Sequence, residues 1–338
     1  MLLRVATNNE AVVKAAVAYG SESGVFGDGE SAVAHPSLPL PEVVVPVKPA
    51  RDVASELKVQ ALVGVRGHSA QYFVFDETVA LPRFAMYARV FEGNAAGPGN
   101  PASAVPEGYV SFFVAERVNR LAIWARQAFL VQERDVRPHG DSLDVRFVGL
   151  RDGAPLMVFV TPENGGKVTI RTDDMGLAGD VVQDLCAHLQ VHELESVADF
   201  PREMARLRDT VERVDDHNAL RLKLSAGMAD ASNLVKTLVV KAEDARMMLD
   251  VANMKRMYRE LYALNNELVG EYVKRSTNRE ELKKALKEVN QFIQKSAKLR
   301  RGKAKAAVVQ ACRNAIRKNA MHSLMDIVKA GKASGKKA

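Results

Sequence analysis

The chain has 338 residues, of which 47% are hydrophobic and 26% are charged, and its net charge is +7. That length predicts two or three domains with hydrophobic cores. No run of about 18 uncharged apolar residues occurs, so the sequence predicts no membrane-spanning helix. The two cysteines, Cys186 and Cys312, lie in segments that we assign to different domains, which favours a reducing cytosolic compartment without a disulfide.

Short runs rich in Val, Phe and Tyr make residues 1–91 look like an all-β domain, with Gly- and Pro-containing turns between the runs. The predicted strands are 12–19, 42–47, 57–65, 71–75 and 84–91. Short strands at this spacing are typical of a β-sandwich. The glycine-rich stretch Gly24–Gly29 is followed by no helix, so we predict a loop there and not a phosphate cradle.

Residues 92–106 hold three Gly and three Pro among small residues and predict an inter-domain linker. Residues 107–200 then follow the order strand, helix, three strands, helix. The predicted strands are 109–114, 143–150, 156–160 and 167–171, and the predicted helices are 116–129 and 177–189, the second capped by Asp173 or Asp174. This order predicts an α+β domain, with helices on one face of an antiparallel sheet.

The chain beyond Pro201 is predicted to be helical almost throughout, with a hairpin region at 201–299 and short basic helices with a disordered tail at 300–338. Its longest predicted helix, Met228–Arg275, contains no proline and would reach roughly 60–70 Å. Gly227 allows a break before it, and a further helix is expected to start near Asn278. Two short helices follow at 304–318 and 321–329.

An apolar stripe runs along the long predicted helix in steps of three and four, which places its side chains on one face. A helix of that length must pack this stripe against another element, so we predict an interface with a partner protein. The step of two between Ala252 and Met254 predicts two packing surfaces, one towards the hairpin itself and one towards a partner. Methionines on this helix fit either a packed core or an adaptable binding surface. The residues assigned to the partner interface are Leu238, Leu249, Met254, Met257, Leu261, Leu264 and Leu268.

Positive charge is concentrated at the C-terminal end, where residues 275–338 hold 18 Lys or Arg against 4 Asp or Glu. Such a segment can contact an anionic membrane, nucleic acid or an acidic protein surface. A solvated basic helix with a frayed tail is the plainer interpretation, and we favour it. The residues assigned to an anionic-surface contact are Arg300, Arg301, Lys303 and Lys305.

Few residues in this sequence have the spacing that catalysis or metal binding requires. His188, His192 and Glu195 have the spacing H-x₃-H-x₂-E, but the segment reads as a helix end, and we predict surface histidines. The adjacent carboxylates Asp173–Asp174 and Asp215–Asp216 point in different directions and form no acid–base pair. We therefore predict that the chain is not an enzyme and has no cofactor and no metal site.

Several long segments resemble the Bardet–Biedl syndrome 2 family, core subunits of the BBSome. In chain order they are LVGVRGHSAQYFVF with LPRFAMY, VSFFVAERVNRLAIW, TIRTDDMGLAGDVVQ, LSAGMADASNLVKTLVVKAEDARMM, MYRELYALNNEL and ACRNAIRKNAMHSLMDIV. They keep the family's order from about Ala11 onward. The resemblance implies a multidomain α and β fold: an immunoglobulin-like or appendage-like β-sandwich, an α+β platform domain, a long α-helical hairpin and C-terminal helices.

The family's subunit also has a β-propeller and a short coiled coil, and the resemblance starts inside the sandwich that follows them. We therefore expect a truncated chain, with an incomplete gene model as the alternative. The resemblance implies a non-enzymatic, coat-like cargo adaptor that moves membrane proteins into and out of cilia and flagella.

The resemblance implies the seventh and ninth Bardet–Biedl subunits as partners, with membrane-protein cargo and an Arf-like small GTPase bound through the whole complex. It also implies cilium, basal body and cytoplasm as locations, with peripheral membrane association. We expect the isolated chain to self-associate, and we expect no nucleic acid partner. The alternative function is an electrostatic membrane- or nucleic-acid-binding module that acts through the basic C-terminal helices.

Overall fold

The structure, a computed structural model, describes residues 2–8, 10–20, 31–38, 40–47, 49, 52–67, 71–91, 105–163, 166–318 and 321–331, with all of their side chains except those of residues 321 and 322. The glycine-rich stretch Gly24–Gly29, most of the predicted linker and most of the predicted disordered tail lie outside the described residues.

The first domain consists of two antiparallel sheets that pack face to face. Its strands are β1 Leu2–Ala6, β2 Ala11–Gly20, β3 Ser31–Ala34, β4 Glu42–Pro46, β5 Ser55–Val65 and β6 Tyr72–Leu81. One sheet pairs β1 with β4, and the other has the order β3-β2-β5-β6. Alternate residues of facing strands, among them Val13, Ala16, Val43, Val45 and Val59, fill the space between the sheets. This arrangement confirms the predicted sandwich class.

The prediction that residues 84–91 form a strand of the sandwich is wrong. Only β7, Tyr87–Arg89, is a strand, and it pairs with the sheet of the second domain. The reason is that aromatic side chains before and within this strand pack on an aromatic ring of the second domain. Phe84 stacks on Phe129 with ring centroids 5.1 Å apart, and Tyr87 meets the same ring edge-on at 6.0 Å.

The second domain is a six-stranded antiparallel sheet with two helices packed on it. The elements are β8 Tyr109–Phe113, α1 Val118–Phe129, β9 Leu143–Gly149, β10 Pro155–Thr161, β11 Lys167–Arg171, α2 Met175–His188 and β12 Val197–Asp199. The sheet order is β12-β8-β11-β10-β9-β7. Asp174 caps α2 by accepting hydrogen bonds from the backbone N–H groups of Gly176 and Leu177. The predicted α+β class is confirmed, whereas β12 was not foreseen.

The helical part is a hairpin of two long helices followed by two short ones. The helices are α3 Pro201–Met247, α4 Val251–Lys298, α5 Lys303–Arg317 and α6 Met321–Ala330. The prediction of one helix over Met228–Arg275 is wrong, because the chain reverses at residues 248–250. Gly227 and Asn278, where breaks were expected, lie inside continuous helices.

Among the described residues, the hairpin contacts the rest of the chain at one end only. Near its base, the hairpin shares one core with the sheet of the second domain, which we call the platform domain, and with the C-terminal helices. The hairpin residues in this core include Val211 on α3 and Val289, Phe292 and Ile293 on α4. Farther out, the buried cluster is small and separate, and it consists of hairpin residues alone. Roughly 30 residues of each arm lie beyond the shared core, so at 1.5 Å per residue the hairpin extends about 50 Å from it.

Glycines in the helices test this packing directly. A Cβ on Gly179 of α2 would lie 2.7 Å from Cβ of Lys298, whereas nothing lies within 4 Å of a Cβ on Gly270 of α4. We expect Gly179→Val to lower the free energy of unfolding by about 1–3 kcal/mol through overpacking. Gly270→Ala should raise it by about 0.5–1 kcal/mol because alanine favours the helix. Urea denaturation measures both, and equal effects would contradict the close approach of α2 to α4.

Candidate subunit-interaction surface

The hairpin reverses through a helix-ending motif that contains no glycine. The N–H of Asp250 donates to the carbonyl of Ala245 at 3.0 Å, and the N–H of Leu249 donates to that of Arg246 at 3.1 Å. These two bonds form a Schellman motif, in which the residue after the cap adopts a left-handed conformation. Leu249 occupies that position with φ of +59°. Asp250 then caps α4 by accepting from the N–H of Asn253 at 3.1 Å.

The tip formed by this turn is apolar and exposed. Met247, Met248 and Leu249 are 80%, 81% and 85% exposed, and Val251 is also exposed. A leucine in the left-handed region costs conformational energy that glycine would avoid. A strained apolar residue held in solvent is a reason to look for function at this site.

Most of the stripe assigned to a partner interface lies between the two arms of the hairpin, and we call this part of it the seam. Leu238 on α3 and Met257 on α4 are buried in one cluster between the arms, and Leu261 and Leu264 are half-buried and pack against the same cluster. Met254 and Leu268 are also half-buried, whereas Leu249 sits at the tip. The step of two in the stripe follows directly after the turn, so it marks the start of a second helix. A partner role for the seam residues stays a prediction, and their packing in the described structure is within the chain.

A second apolar surface, absent from the sequence-based assignment, runs along the outside of α4. We call it the outer stripe, and it consists of Tyr258, Tyr262, Val269, Tyr272 and Val273. Tyr262 and Tyr272 are 70% and 64% exposed. The steps of four, seven, three and one place these side chains on one face, beside the seam. The same helical period could have found them, but the leucine stripe next to them is the stronger signal.

A polar pair, the buried Asn278 and the half-buried His217, links the arms near the base of the projecting part. The side-chain amide of Asn278 donates to the carbonyl of His217 at 3.0 Å, and its oxygen lies 2.7 Å from Nδ1 of His217. Two directional contacts between the same residues fix how one arm sits against the other. The outer stripe therefore has a defined position relative to α3.

The assignment of Arg300 to an anionic surface is wrong. Its side chain is buried, and Nη2 donates to the backbone carbonyls of Ser196, Val328 and Lys329 at 2.8–3.2 Å. Burial lowers the pKa of Arg300 to about 10, because the charged form is desolvated. The guanidinium therefore ties the C-terminal helix α6 to the platform domain.

The other three basic residues assigned to that surface do not form one exposed patch. Arg301 is half-buried, and its backbone forms an isolated bridge with Leu194. Lys305 is half-buried, whereas the Lys303 side chain is 94% exposed, with Nζ 3.7 Å from Glu193. Of the four, only Lys303 is largely open to solvent.

The described residues contain no set of three His, Cys, Asp or Glu side chains close enough to hold a metal ion. α2 ends at His188, so His192 and Glu195 lie beyond it. Burial raises the pKa of both thiols, that of Cys312 to about 11, whereas a nucleophilic cysteine needs a lowered pKa. No helix in the described ranges is both long and apolar enough to cross a bilayer.

Four domain models of one family match the chain in order. The BBS2 GAE domain matches residues 1–84, the BBS2 platform domain 96–189, the BBS2 hairpin 201–298 and the BBS2 C-terminal helix bundle 303–329. The chain is also 41% identical over 334 residues to BBSome complex member BBS2 of Homo sapiens. The chain belongs to the BBS2 family.

Other BBS2 relatives agree with this assignment. BBSome complex member BBS2 of Danio rerio is 41% identical over 335 residues, and BBSome complex member bbs-2 of Caenorhabditis elegans is 24% identical over 271 residues. The human and zebrafish matches cover 98% of this chain but 44% of each relative. The chain thus spans less than half the length of the curated BBS2 proteins that it matches.

Replacement of Arg300 tests its structural role in this BBS2 chain. We expect Arg300→Met to lower the free energy of unfolding by about 2–4 kcal/mol, because three backbone carbonyls, two of them in buried hydrogen bonds, lose a charged donor. Lys303→Met, at an exposed position, should change it by no more than about 0.5 kcal/mol. Urea denaturation, with limited proteolysis to follow release of α6, measures the difference. Equal stability of the two variants would contradict the role of Arg300.

Proposed function

We propose that this chain is a non-enzymatic structural subunit of a BBSome, a coat-like adaptor that carries membrane proteins to and from cilia and flagella. The observation that supports the proposal best is the exposed apolar surface of a hairpin that is anchored only at its base. The tip and the outer stripe together present methionine, leucine, valine and tyrosine side chains to solvent. Contiguous exposed apolar surface of this kind marks interaction sites in proteins that otherwise bury it.

The residue types at this surface are those that protein interfaces favour. Tyrosine and methionine are enriched at interface cores, and tyrosine is frequent among residues that dominate binding energy. Tyr262 and Tyr272 point outward from the rigid helix α4, so they lose little conformational freedom when a partner covers them. The outer stripe therefore suits a stable contact between subunits.

The occupant that we propose is a helical hairpin of another BBSome subunit. Two packed helices bury one side of each, and a second hairpin laid along the outer stripe would complete a four-helix bundle with its own core. The relatives of this chain are named as members of a complex. We propose the seventh and ninth Bardet–Biedl subunits as partners, since the family resemblance implies them.

The remaining parts of the proposal concern the whole complex. Membrane-protein cargo and an Arf-like small GTPase would be bound by the assembled BBSome. Its proposed locations are the cilium or flagellum, the basal body and the cytoplasm, with peripheral membrane association. The alternative, an electrostatic module in the basic C-terminal helices, has less support because Arg300 is buried and two of its three neighbours are half-buried. We propose no nucleic acid partner.

The outer stripe is tested by the double variant Tyr262→Asp with Val269→Asp, co-expressed with the seventh and ninth subunits. We expect loss of co-purification, because two carboxylates would have to be desolvated in the interface. The seam residues are unsuitable for this test, since Leu261→Asp would also open the hairpin.

The matched control is Ala263→Asp with Thr277→Asp, which adds the same charge at exposed positions that the helical period places outside the outer stripe. Circular dichroism should show equal helix content for both variants. Retained co-purification of the stripe variant, or equal loss in the control, would refute this interface.

The tip is tested by a substitution that separates stability from binding. Leu249→Gly relieves the left-handed strain, so the free energy of unfolding should rise by about 0.5–1 kcal/mol. If the tip contacts a partner, the same variant should bind that partner more weakly because a large apolar side chain is lost. Thermal denaturation and titration with the purified partner give the two values. A variant that is more stable and binds equally well would remove the tip from the interface.

An exposed apolar surface also predicts self-association of the isolated chain. Light scattering over a concentration series should show an apparent mass that rises with concentration. The stripe variant Tyr262→Asp with Val269→Asp should stay monomeric over the same range. A wild-type chain that is monomeric throughout would count against a strongly adhesive stripe.

A further inference from the structure

A cleft lined by arginines lies at the edge of the platform sheet. Its residues come before the hairpin in the sequence and belong to none of the hairpin's helices. Its walls are β7 with the two residues after it, the short 3-10 helix Glu133–Asp135, and β9. The cleft has a volume of about 480 Å³. Four arginines line it, namely Arg89, Arg134, Arg137 and Arg146.

Arg89 is the residue that makes this cleft unusual. Its Nε and Nη1 atoms are buried, and neither has a hydrogen-bond partner among the described residues. The guanidinium carbon lies 5.3 Å from the ring centre of Phe91, which holds the planar group against an aromatic wall. Burial lowers the pKa of Arg89, and Asp135 and Asp144 only partly oppose this effect. Two buried donors without a partner in the described part of the chain are the reason to look for an acceptor at this cleft.

Among the described residues, the charges in the cleft do not cancel. Two carboxylates line it, and each already faces an arginine: Asp135 lies 3.8 Å from Nε of Arg134, and Asp144 lies 3.3 Å from Nη2 of Arg146. Arg89 and Arg137 remain, and within the described part of the chain neither forms an ion pair. The described lining therefore has two more positive than negative side chains, which matches a ligand group that carries two negative charges.

We propose that this cleft binds a phosphorylated side chain of a protein segment. A phosphate monoester carries close to two negative charges at neutral pH and offers three acceptor oxygens. The forked guanidinium group pairs with such oxygens through parallel hydrogen bonds, which a single ammonium group cannot do. His139 and Ser142 at the rim are further polar neighbours.

The position of the cleft favours a protein segment over a membrane surface. β7 pairs only with Phe147–Gly149 of β9, so among the described residues Leu143–Val145 has a strand partner on the β10 side alone. An extended segment can add to such an edge through its backbone while one side chain enters the cleft. Lipid surfaces instead attract broad basic faces, and here the cations are confined to one cleft that also contains two carboxylates.

The proposal is tested by fluorescence titration of the chain with a phosphoserine peptide flanked by valine and threonine, which favour the extended conformation. Saturable binding at least about tenfold tighter than that of the unphosphorylated peptide is expected. Inorganic phosphate should bind more weakly than the phosphopeptide. Phosphatidylcholine vesicles containing phosphatidylinositol phosphate should not bind through these arginines.

Two variants assign the binding to the cleft. Arg89→Gln and Arg137→Gln should each weaken phosphopeptide binding about tenfold, because each removes one charge-assisted contact. Arg89→Lys keeps the charge but loses the fork, so its affinity should fall between wild type and Arg89→Gln. Arg221→Gln, which removes an exposed arginine from α3, should bind as wild type.

Arg137 is exposed, so its replacement should leave the fold intact, and thermal denaturation of each variant checks this. Equal binding of the phosphorylated and unphosphorylated peptides would overturn the proposal, as would cleft variants that bind like wild type. Binding of inorganic phosphate as tight as that of the peptide, or arginine-dependent binding to the vesicles alone, would overturn the assignment to a protein segment.

Discussion

A hairpin of two helices can bury only one side of each helix, and this constraint shapes the exposed surface of the chain. Near the base of the hairpin, α4 buries more than one side, because it also packs on the platform domain and the C-terminal helices. Phe292 and Ile293 belong to the shared core, and Lys298 forms an ion pair with Asp180 of α2 at 2.9 Å. Beyond that base, in the part of the chain that the structure describes, the two arms pack only against each other. The seam between them buries Leu238, Ala242, Ala245 and Met257, whereas the tyrosines of the outer stripe stay exposed.

The anchoring of the base depends on contacts that join distant parts of the chain. The side-chain amide of Gln183 donates to the carbonyls of Lys298 and Arg300 at 2.6 and 2.9 Å, and Arg300 in turn holds Val328. These bonds connect α2, the end of α4 and the end of α6. A rigid base gives the projecting arms a fixed direction, which an interface between subunits requires.

The sequence predicts the fold class because strong periodicity and turn residues accompany most elements. The order of strands and helices in the platform domain and the Asp174 cap follow from such local signals. The hairpin turn does not, since Leu249 takes a left-handed conformation that usually identifies glycine. The helical pattern continues on both sides of it, so Met228–Arg275 reads as one helix. Residues 84–91 mislead for a related reason, because alternation predicts a strand without saying which sheet receives it.

The sequence predicted an apolar stripe along this helix, but it did not predict which apolar residues are exposed. The apolar stripe correctly indicated packing along the helix, yet it is the seam of the hairpin, and the outer stripe beside it carries the exposed tyrosines. Arg300 shows the same limit, because its acceptors on Ser196 and Val328 lie far away in sequence. Side-chain burial is decided by such long-range contacts. Composition alone placed Arg300 on a basic surface.

The central proposal is that the projecting part of the hairpin fastens this BBS2 chain to other subunits. Hydrogen–deuterium exchange of α3 and α4, compared between the isolated chain and the assembled BBSome, tests it most directly. Assembly should slow the exchange of backbone amides in residues 216–277 only. The base at 282–298 should already be protected in the isolated chain. Unchanged exchange over 216–277 on assembly would contradict the account.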